Sequence, residues 1–357
     1  MYKKLFFIFG LFLLSASCFL YVCRGSYSIA GEIARTSATK KIATTPDQLE
    51  MVVIIGSGPA GLTAALYAAQ AGLRPLVITG KDEGGQLTKT AAVKNWPGIE
   101  EVSGKDLMDS LFQHAKGAGA RFLFDEVIAV NFSEKPFVLK TKQKIKIKAR
   151  AVIIATGSTP RMLNIPGEEQ YWGNGISNCA ICDGALYKNK KVVIIGGGNT
   201  AFENVLYLKN FTNDITIIHK DDTLGGFATN REKIMGDTTI RILYDTIATE
   251  FCGDMDGFTH LIIENKKTKQ KTMEKFDGVF LSIGSKPNTD MFKNSLELTK
   301  FGYIKTHNQV ETSLEGIFAI GDVRETRYRQ AIISAGDGSL AALEAEKYLK
   351  KPLPTGN

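Results

Sequence analysis

Histidine and tryptophan are scarce in this chain, 4 and 2 residues among 357, and cysteine is hardly commoner at 5. Each scarcity removes a class of function. Histidines are too few, and too far from any close cysteine pair, to complete a zinc site. The cysteines, Cys18, Cys23, Cys179, Cys182 and Cys252, are odd in number and irregularly spaced, which is not the framework of a disulfide-stapled domain. The tryptophans are scattered and no basic–aromatic stripe appears, so nucleic acid is not an expected partner. Charged residues at 23% and apolar residues at 44% are ordinary globular values, which excludes a chain disordered throughout. The length suffices for two nucleotide-sized domains, each with its own core.

The net charge of +7 is modest. Part of it comes from Lys140, Lys142, Lys144, Lys146, Lys148 and Arg150, with Ile145, Ile147 and Ala149 between the last few. A period of two puts the charges on one face of a strand or hairpin, read here as a solvated sheet edge that discourages aggregation. The rest lies in residues 1–50. Lys3 and Lys4 precede an apolar run from Leu5 to about Val22, long enough for a membrane-spanning helix. Small residues near its end, Ser15, Ala16 and Ser17, suit a long signal peptide equally. Arg24 to Thr45 reads as a linker or leader. Residues 5–22 are therefore a candidate membrane tether or an export or organelle-targeting segment, with the catalytic part expected in the cytoplasm.

From Met51 the pattern is α/β. Met51 to Ile55 is a short run rich in Val and Ile, as in a buried parallel strand. Gly56-Ser57-Gly58-Pro59-Ala60-Gly61 and an alanine-rich helical pattern, Leu62 to Gln70, follow it. Gly56 allows the tight turn, Gly58 lets backbone approach a pyrophosphate, and Gly61 permits close helix–strand packing. The helix start then offers free N–H groups and the positive end of its dipole to the phosphates. A second copy spans Lys191 to Ala201, with strand Val192 to Ile195 and turn Gly196-Gly197-Gly198-Asn199-Thr200-Ala201. A helical stretch, Phe202 to Leu208, carries Glu203 in its first turn. The strand Ile215 to Ile218 ends at His219-Lys220-Asp221, about 20 residues on, where an adenine ribose is usually read. Two such units imply two dinucleotides, and two dinucleotides imply electron transfer between them.

Two further strand ends, Ala155-Thr156-Gly157 and Gly321-Asp322, look placed to close over the first dinucleotide. The second glycine loop falls between them, so the second domain is inserted into the first. The expected division is a leader over 1–50, the first part of one dinucleotide-binding domain over 51–165, a second dinucleotide-binding domain carrying the cysteine pair over 166–288, and the rest of the first domain over 289–357.

Cys179-Ala180-Ile181-Cys182-Asp183-Gly184 is the most specific feature. Two intervening residues let both sulfurs close a small disulfide ring. A helix start there would favour thiolate, the nucleophilic form, on the first cysteine. Asp183 offers a carboxyl group to move a proton to or from a departing thiol. A metal half-site or a buried structural pair would be open alternatives were the glycine loops not beside it. Cys252 reads as a buried or idle thiol.

In order and spacing, these motifs resemble the low-molecular-weight thioredoxin reductases. The segments that carry the resemblance begin with Gly84-Gly85-Gln86-Leu87, Asn95-Trp96-Pro97-Gly98 and Ile153-Ile154-Ala155-Thr156-Gly157-Ser158. They continue with Ile165-Pro166-Gly167-Glu168-Glu169, Tyr171-Trp172-Gly173, Cys179 to Gly184 and Pro287-Asn288-Thr289. Gly321-Asp322-Val323 and Tyr328-Arg329-Gln330-Ala331 complete the set. Similarity runs from about Met51 to Leu349. It implies FAD on Gly56, Gly58 and Gly61, with Gln86, Asn95 and Asp322 along its ribityl–phosphate side and Gln330 and Ala331 beside the isoalloxazine. It implies NADPH or NADH on Gly196, Gly198 and Thr200, helped by Glu203, His219 and Lys220. Cys182 would face the flavin, Cys179 would attack the disulfide of thioredoxin or a thioredoxin-like protein, and Asp183 would serve as acid and base. A homodimer is implied, as is rotation of the inserted domain, which brings either nicotinamide or dithiol to the flavin.

One stretch departs from the family. NADPH-preferring relatives carry a basic cluster after the second fingerprint, and guanidiniums there grip the 2′-phosphate. Here the stretch is His219-Lys220-Asp221-Asp222-Thr223-Leu224-Gly225-Gly226. Asp221 and Asp222 would repel a phosphate, and an acid at this strand end usually meets an unphosphorylated ribose. Weak use of NADPH, a preference for NADH, or another electron donor is the expectation. The same architecture also serves dithiol oxidases that deliver electrons to oxygen, and a flavin-bearing tethered binding protein is a third possibility. The intact second loop argues against the former, and the intact Cys179–Asp183 motif against the latter.

Overall fold

The computed structural model describes residues 48–351. The apolar run of residues 5–22 and the stretch after it lie outside the described residues, together with everything expected of them. Among the described residues, no helix is long and apolar enough to cross a membrane.

Strand β1 (Leu49–Ile55) opens the fold. It begins ahead of Met51, because Leu49 and Glu50 already lie in parallel register with Lys148 and Ala149. Val52 to Ile55 are buried to 3% exposure or less, as a central strand covered on both faces requires. Helix α1 (Pro59–Gln70), β2 (Leu76–Ile78), α2 (Gly104–Gly117) and β3 (Arg121–Leu123) follow. Proline at the start of α1 sacrifices only an N–H that has no partner within the helix. Three antiparallel strands come next, β4 (Val127–Asn131), β5 (Phe137–Thr141) and β6 (Lys146–Ile154). β6 pairs β5 with its first half and β1 along most of its length.

The lysine-rich stretch is the β5–β6 hairpin, with Lys140 opposite Lys146 and Lys144 in the turn at φ 65°. Ile147 and Ala149 point into the core, while Lys146 is exposed. The charges therefore share a face as expected, but not at a sheet edge. β5 is flanked by β6 and β4, and β4 takes the outer position.

The chain then leaves this sheet through β7 (Ser158–Pro160) and α3 (Glu168–Tyr171). It builds β8 (Ile176–Ser177), α4 (Ala180–Asp183), β9 (Val192–Ile195), α5 (Asn199–Leu208), β10 (Ile215–Ile218), α6 (Ala228–Gly236) and β11 (Ile240–Leu243). An antiparallel sheet of β12 (Thr246–Asp254), β13 (Gly257–Asn265) and β14 (Lys271–Lys275) follows, then β15 (Gly278–Leu281). The second parallel sheet has the order β11-β10-β9-β15-β8. The chain returns through β16 (Ser285–Pro287), antiparallel to β7, and then adds β17 (Ile317–Ala319) to β6 and closes with α7 (Ala331–Lys350).

Small residues let α7 lie close against α1. A methyl group on Gly338 would come within 3.0 Å of the Ala60 carbonyl oxygen, and Ala64, Ala65, Ala341 and Ala345 are fully buried between the helices and the first sheet. At the crossing, the Asn288 amide donates to the Thr156 carbonyl at 2.8 Å and accepts from the Thr159 hydroxyl at 3.0 Å. Its backbone N–H donates to Gly157 O at 3.0 Å. One side chain thus ties the outgoing chain to the returning one, which gives the Pro287-Asn288-Thr289 motif a structural reason.

Candidate functional site

The first glycine loop joins β1 to α1. Gly56 takes φ +111°, and a Cβ there would fall within 3.0 Å of the Ala155 carbonyl oxygen at the end of β6. A Cβ on Gly61 would collide with the carbonyl of Gly56 itself. Gly58 differs, with nothing within 4 Å of a Cβ. Two glycines are thus required by the protein's own packing, and the middle one faces open space at the N-terminus of a 12-residue helix. That is the cradle a pyrophosphate needs, so the residues present fit a dinucleotide.

Around it the fold gathers the other expected residues. Gln86 opens a 3-10 turn after Gly84-Gly85, and a Cβ on Gly85 would lie 3.2 Å from the Gly58 Cα. Gly321, next to Asp322, would carry a Cβ 3.2 Å from that of Ala60. Burial raises the Asp322 carboxyl, opposed by the Arg329 charge and a hydrogen bond to Ser334. Gly321 is fixed by its N–H donating to Asp337 at 3.0 Å, and Asp337 in turn receives a bidentate fork from Arg324. Asn95 donates to the Gln330 side chain at 3.3 Å, and Ala331 is the first residue of α7.

Ser57, which the glycine pattern treats as a filler, links three segments. Its hydroxyl donates to Thr79 O at 2.9 Å and accepts the Gly84 N–H at 3.1 Å.

The second loop repeats the logic. A Cβ on Gly196, at φ +141°, would meet the Ser282 carbonyl, whereas Gly198 again has nothing within 4 Å. The helix begins at Asn199, ahead of the expected Phe202, and places Thr200 and Glu203 exposed in its opening turns. Ala201 is fully buried where the first loop has Gly61. The His219 ring packs against Gly197, so the end of β10 touches the loop. Asp221 lies 2.9 Å from Lys220 Nζ, and a lysine not anticipated from the motif, Lys266 beyond the end of β13, reaches it at 4.0 Å.

Cys179 and Cys182 form a disulfide with Cα atoms 5.3 Å apart, normal for the bond. Cys179 caps the short α4, and the Cys182 N–H donates to its sulfur at 3.2 Å. Gln330 Nε2 lies 3.8 Å from the same sulfur, so the pair sits beside the residues gathered at the first loop. Cys182 is exposed and Cys179 half-buried. Burial raises the Asp183 carboxyl, and a hydrogen bond from Ser177 opposes that shift. The Ser177 hydroxyl donates to Asp183 at 2.5 Å and accepts the Cys179 N–H at 3.0 Å. Ser177 was not singled out from the sequence, although its place two residues before Cys179 is a common one for a local cap. Cys252 is a free thiol in β12, pushed up by burial. Among the described residues, no group of three or more His, Cys, Asp or Glu side chains is placed to hold a metal ion.

The family model described as pyridine nucleotide-disulphide oxidoreductase matches residues 50–338. The chain belongs to that family. Thioredoxin reductase from Buchnera aphidicola (subspecies Acyrthosiphon pisum) is 44% identical over 314 residues, covering 84% of this chain and 96% of that protein. The solved thioredoxin reductase from Giardia duodenalis superposes with a TM-score of 0.82 at 36% identity, over 85% of this chain and all of its own, 100%. A Pseudomonas fluorescens protein named glucosaminate ammonia-lyase is 43% identical over 307 residues, covering 84% of this chain and 95% of its own. The resemblance to the thioredoxin reductases read from the motifs holds over nearly the full length of these two relatives of that name.

Proposed function

We propose that the protein is a thioredoxin-disulfide reductase, passing electrons from a nicotinamide dinucleotide through FAD to Cys179 and Cys182 and on to thioredoxin or a similar dithiol protein. The observation that carries this is the Cys179–Cys182 disulfide lying against Gln330, among the residues gathered at the first glycine loop, in a chain with a second glycine loop of the same build. Bound FAD would supply two-electron exchange between nicotinamide and disulfide. Gly56, Gly58 and Gly61 would hold its pyrophosphate, Gln86, Asn95 and Asp322 its ribityl–phosphate side, and Gln330 and Ala331 its ring. Gly196, Gly198 and Thr200, with Glu203, His219 and Lys220 nearby, would hold the nicotinamide dinucleotide.

The chain's own steps are those of thiol–disulfide exchange. Once reduced, the Cys179 thiolate attacks one sulfur of the partner's disulfide, and the other partner sulfur leaves as thiolate. The Cys182 N–H, already aimed at the Cys179 sulfur, favours that thiolate. Cys182 then attacks the Cys179 sulfur, which restores the ring and releases the partner as a dithiol. Two electrons and two protons have moved to the partner. Asp183, half-buried and tied to Ser177, is the group that gives and takes the protons. The family resemblance supports a homodimer, and the β7–β16 ribbon with Asn288 is where the inserted domain would turn.

The test is anaerobic bleaching of the yellow protein by nicotinamide, followed by thioredoxin-coupled disulfide reduction. Cys182→Ser should accumulate a mixed disulfide between Cys179 and thioredoxin, and Cys179→Ser should not. Oxygen uptake driven by a dithiol alone, with no bleaching by either nicotinamide, would assign the protein instead as a dithiol oxidase.

A further inference from the structure

Asp221 is an acid just past the end of β10, where an adenine ribose is usually read. The fold shows what surrounds it. The His219 ring lies against Gly197, so residues 219–222 stand beside the loop that would carry the second nucleotide. Lys220 Nζ is 2.9 Å from the Asp221 carboxylate, His219 Nε2 is 3.8 Å away and Lys266 Nζ 4.0 Å. Lys266 comes from the turn between β13 and β14 and is anchored twice. Its N–H donates to Asp245 O at 2.6 Å, and its ammonium donates to Lys220 O at 2.8 Å. The backbone of Asp221 is held too, its carbonyl accepting the Asp245 N–H at 3.2 Å.

Lys220 and Lys266 converge on Asp221, and Lys267 pairs with Asp245 at 2.7 Å. A 2′-phosphate dianion placed beside Asp221 would be repelled by its carboxylate. A carboxylate offers about four acceptor positions, so one braced by lysines can still accept from ribose hydroxyls.

We propose that Asp221, braced by Lys220 and Lys266, is the residue that selects the second nucleotide, and that it accepts a free ribose 2′-hydroxyl and rejects a 2′-phosphate. The electron donor is then an unphosphorylated nicotinamide dinucleotide. Asp221 is the specificity residue, and Lys266, 45 positions away along the chain, is a positioning residue. The inference rests on the second glycine loop being a nucleotide site, as proposed above.

The test is calorimetric titration of the full-length, flavin-loaded protein with 5′-AMP and with adenosine 2′,5′-bisphosphate. The parent should bind 5′-AMP at least tenfold more tightly. Asp221→Ser should bring the two affinities within about threefold, chiefly by strengthening the bisphosphate. Lys266→Met should weaken 5′-AMP about threefold at unchanged melting temperature, with recovery in Lys266→Arg. A parent that binds the bisphosphate equally or more tightly overturns the proposal while leaving the nucleotide site intact. If neither probe binds although the flavin is retained, the nucleotide-site reading and the proposal fall together.

Discussion

The two kinds of glycine in the first loop make opposite demands, and substituting them separately tests the site. In Gly56→Ala the new methyl group would be forced within 3.0 Å of the Ala155 carbonyl oxygen, at a backbone φ of +111°. The backbone conformation alone costs an L-residue about 1–3 kcal/mol. Relief of the collision requires β1 and β6 to separate at the centre of the first sheet, where Ile54, Ile55, Ile153 and Ile154 are almost wholly buried. A total loss of about 3–5 kcal/mol follows. Gly58→Ala meets none of this, since nothing lies within 4 Å and φ and ψ of −70° and −176° suit any residue. Its cost is that of alanine for glycine at a helix N-cap, about 0.5–1 kcal/mol.

For the ligand the order reverses. The space that a methyl on Gly58 would fill is where a pyrophosphate must approach the backbone. Urea unfolding of flavin-free protein should therefore find Gly58→Ala near the parent and Gly56→Ala far below it. Adding FAD at 100 times its dissociation constant should stabilise the parent by about 2.7 kcal/mol, and Gly58→Ala hardly at all. A Gly58→Ala protein that binds FAD as tightly as the parent refutes the assignment of the loop. So does one that unfolds as readily as Gly56→Ala.

Three further outcomes are expected. The Asp183 carboxyl titrates above its ordinary 3.8 because burial disfavours its charge, so its protonated form favours folding below that value and the benefit disappears as pH rises through the elevated pKa. Asp183→Asn should accordingly gain stability relative to the parent between pH 4 and pH 7, measured by urea unfolding, and a pH-independent difference would contradict the shift. Arg121→Met leaves the Glu50 carboxylate, 4% exposed, without its ion-pair partner, at a cost of about 3–5 kcal/mol. The double variant Glu50→Gln/Arg121→Met should recover most of that loss in the same assay. Asn288→Ala removes both side-chain ties across the β7–β16 crossing, and limited proteolysis should speed up at residues 156–161 and 283–289 while flavin content stays unchanged.

Much of the site was legible because its motifs are local. A β-branched run, glycines at fixed offsets and an alanine-rich helix carry their chemistry within about a dozen residues, and Met51 to Gln70 and Val192 to Leu208 fold as that pattern implies. The cysteine pair is equally local. What escaped depends on segments meeting across the fold. Ser57 reaches Thr79 and Gly84, Asn288 reaches Thr156 and Thr159, and Lys266 reaches Asp221. None of these pairs has a spacing rule. The lysine face was read correctly but its place in the sheet was not, since strand order is decided by long-range pairing. The third glycine teaches a finer point. A methyl is impossible at Gly61 yet fully buried at Ala201, so two loops with one signature pack their helices differently.

Among the described residues there are two glycine loops and one disulfide, and polar contacts place the disulfide at one of the loops. The Cys179 sulfur lies 3.8 Å from Gln330, and Gln330 is held by Asn95, so the disulfide lies at the mouth of the flavin site proposed above. A nicotinamide carried on the second loop, as proposed above, would have to reach the same mouth to deliver its electrons, and two groups cannot fill one contact distance. On the proposed function, delivery and withdrawal would alternate, with the second sheet moving relative to the first. The distribution of bonding suits that motion. Within each half the sheets are covered by buried apolar clusters, aromatic as well as aliphatic, whereas the crossing has two short strands and the exposed amide of Asn288. Buried packing resists deformation and exposed hydrogen bonds exchange with water at small net cost, so the ribbon between the halves is where the proposed motion would be taken up.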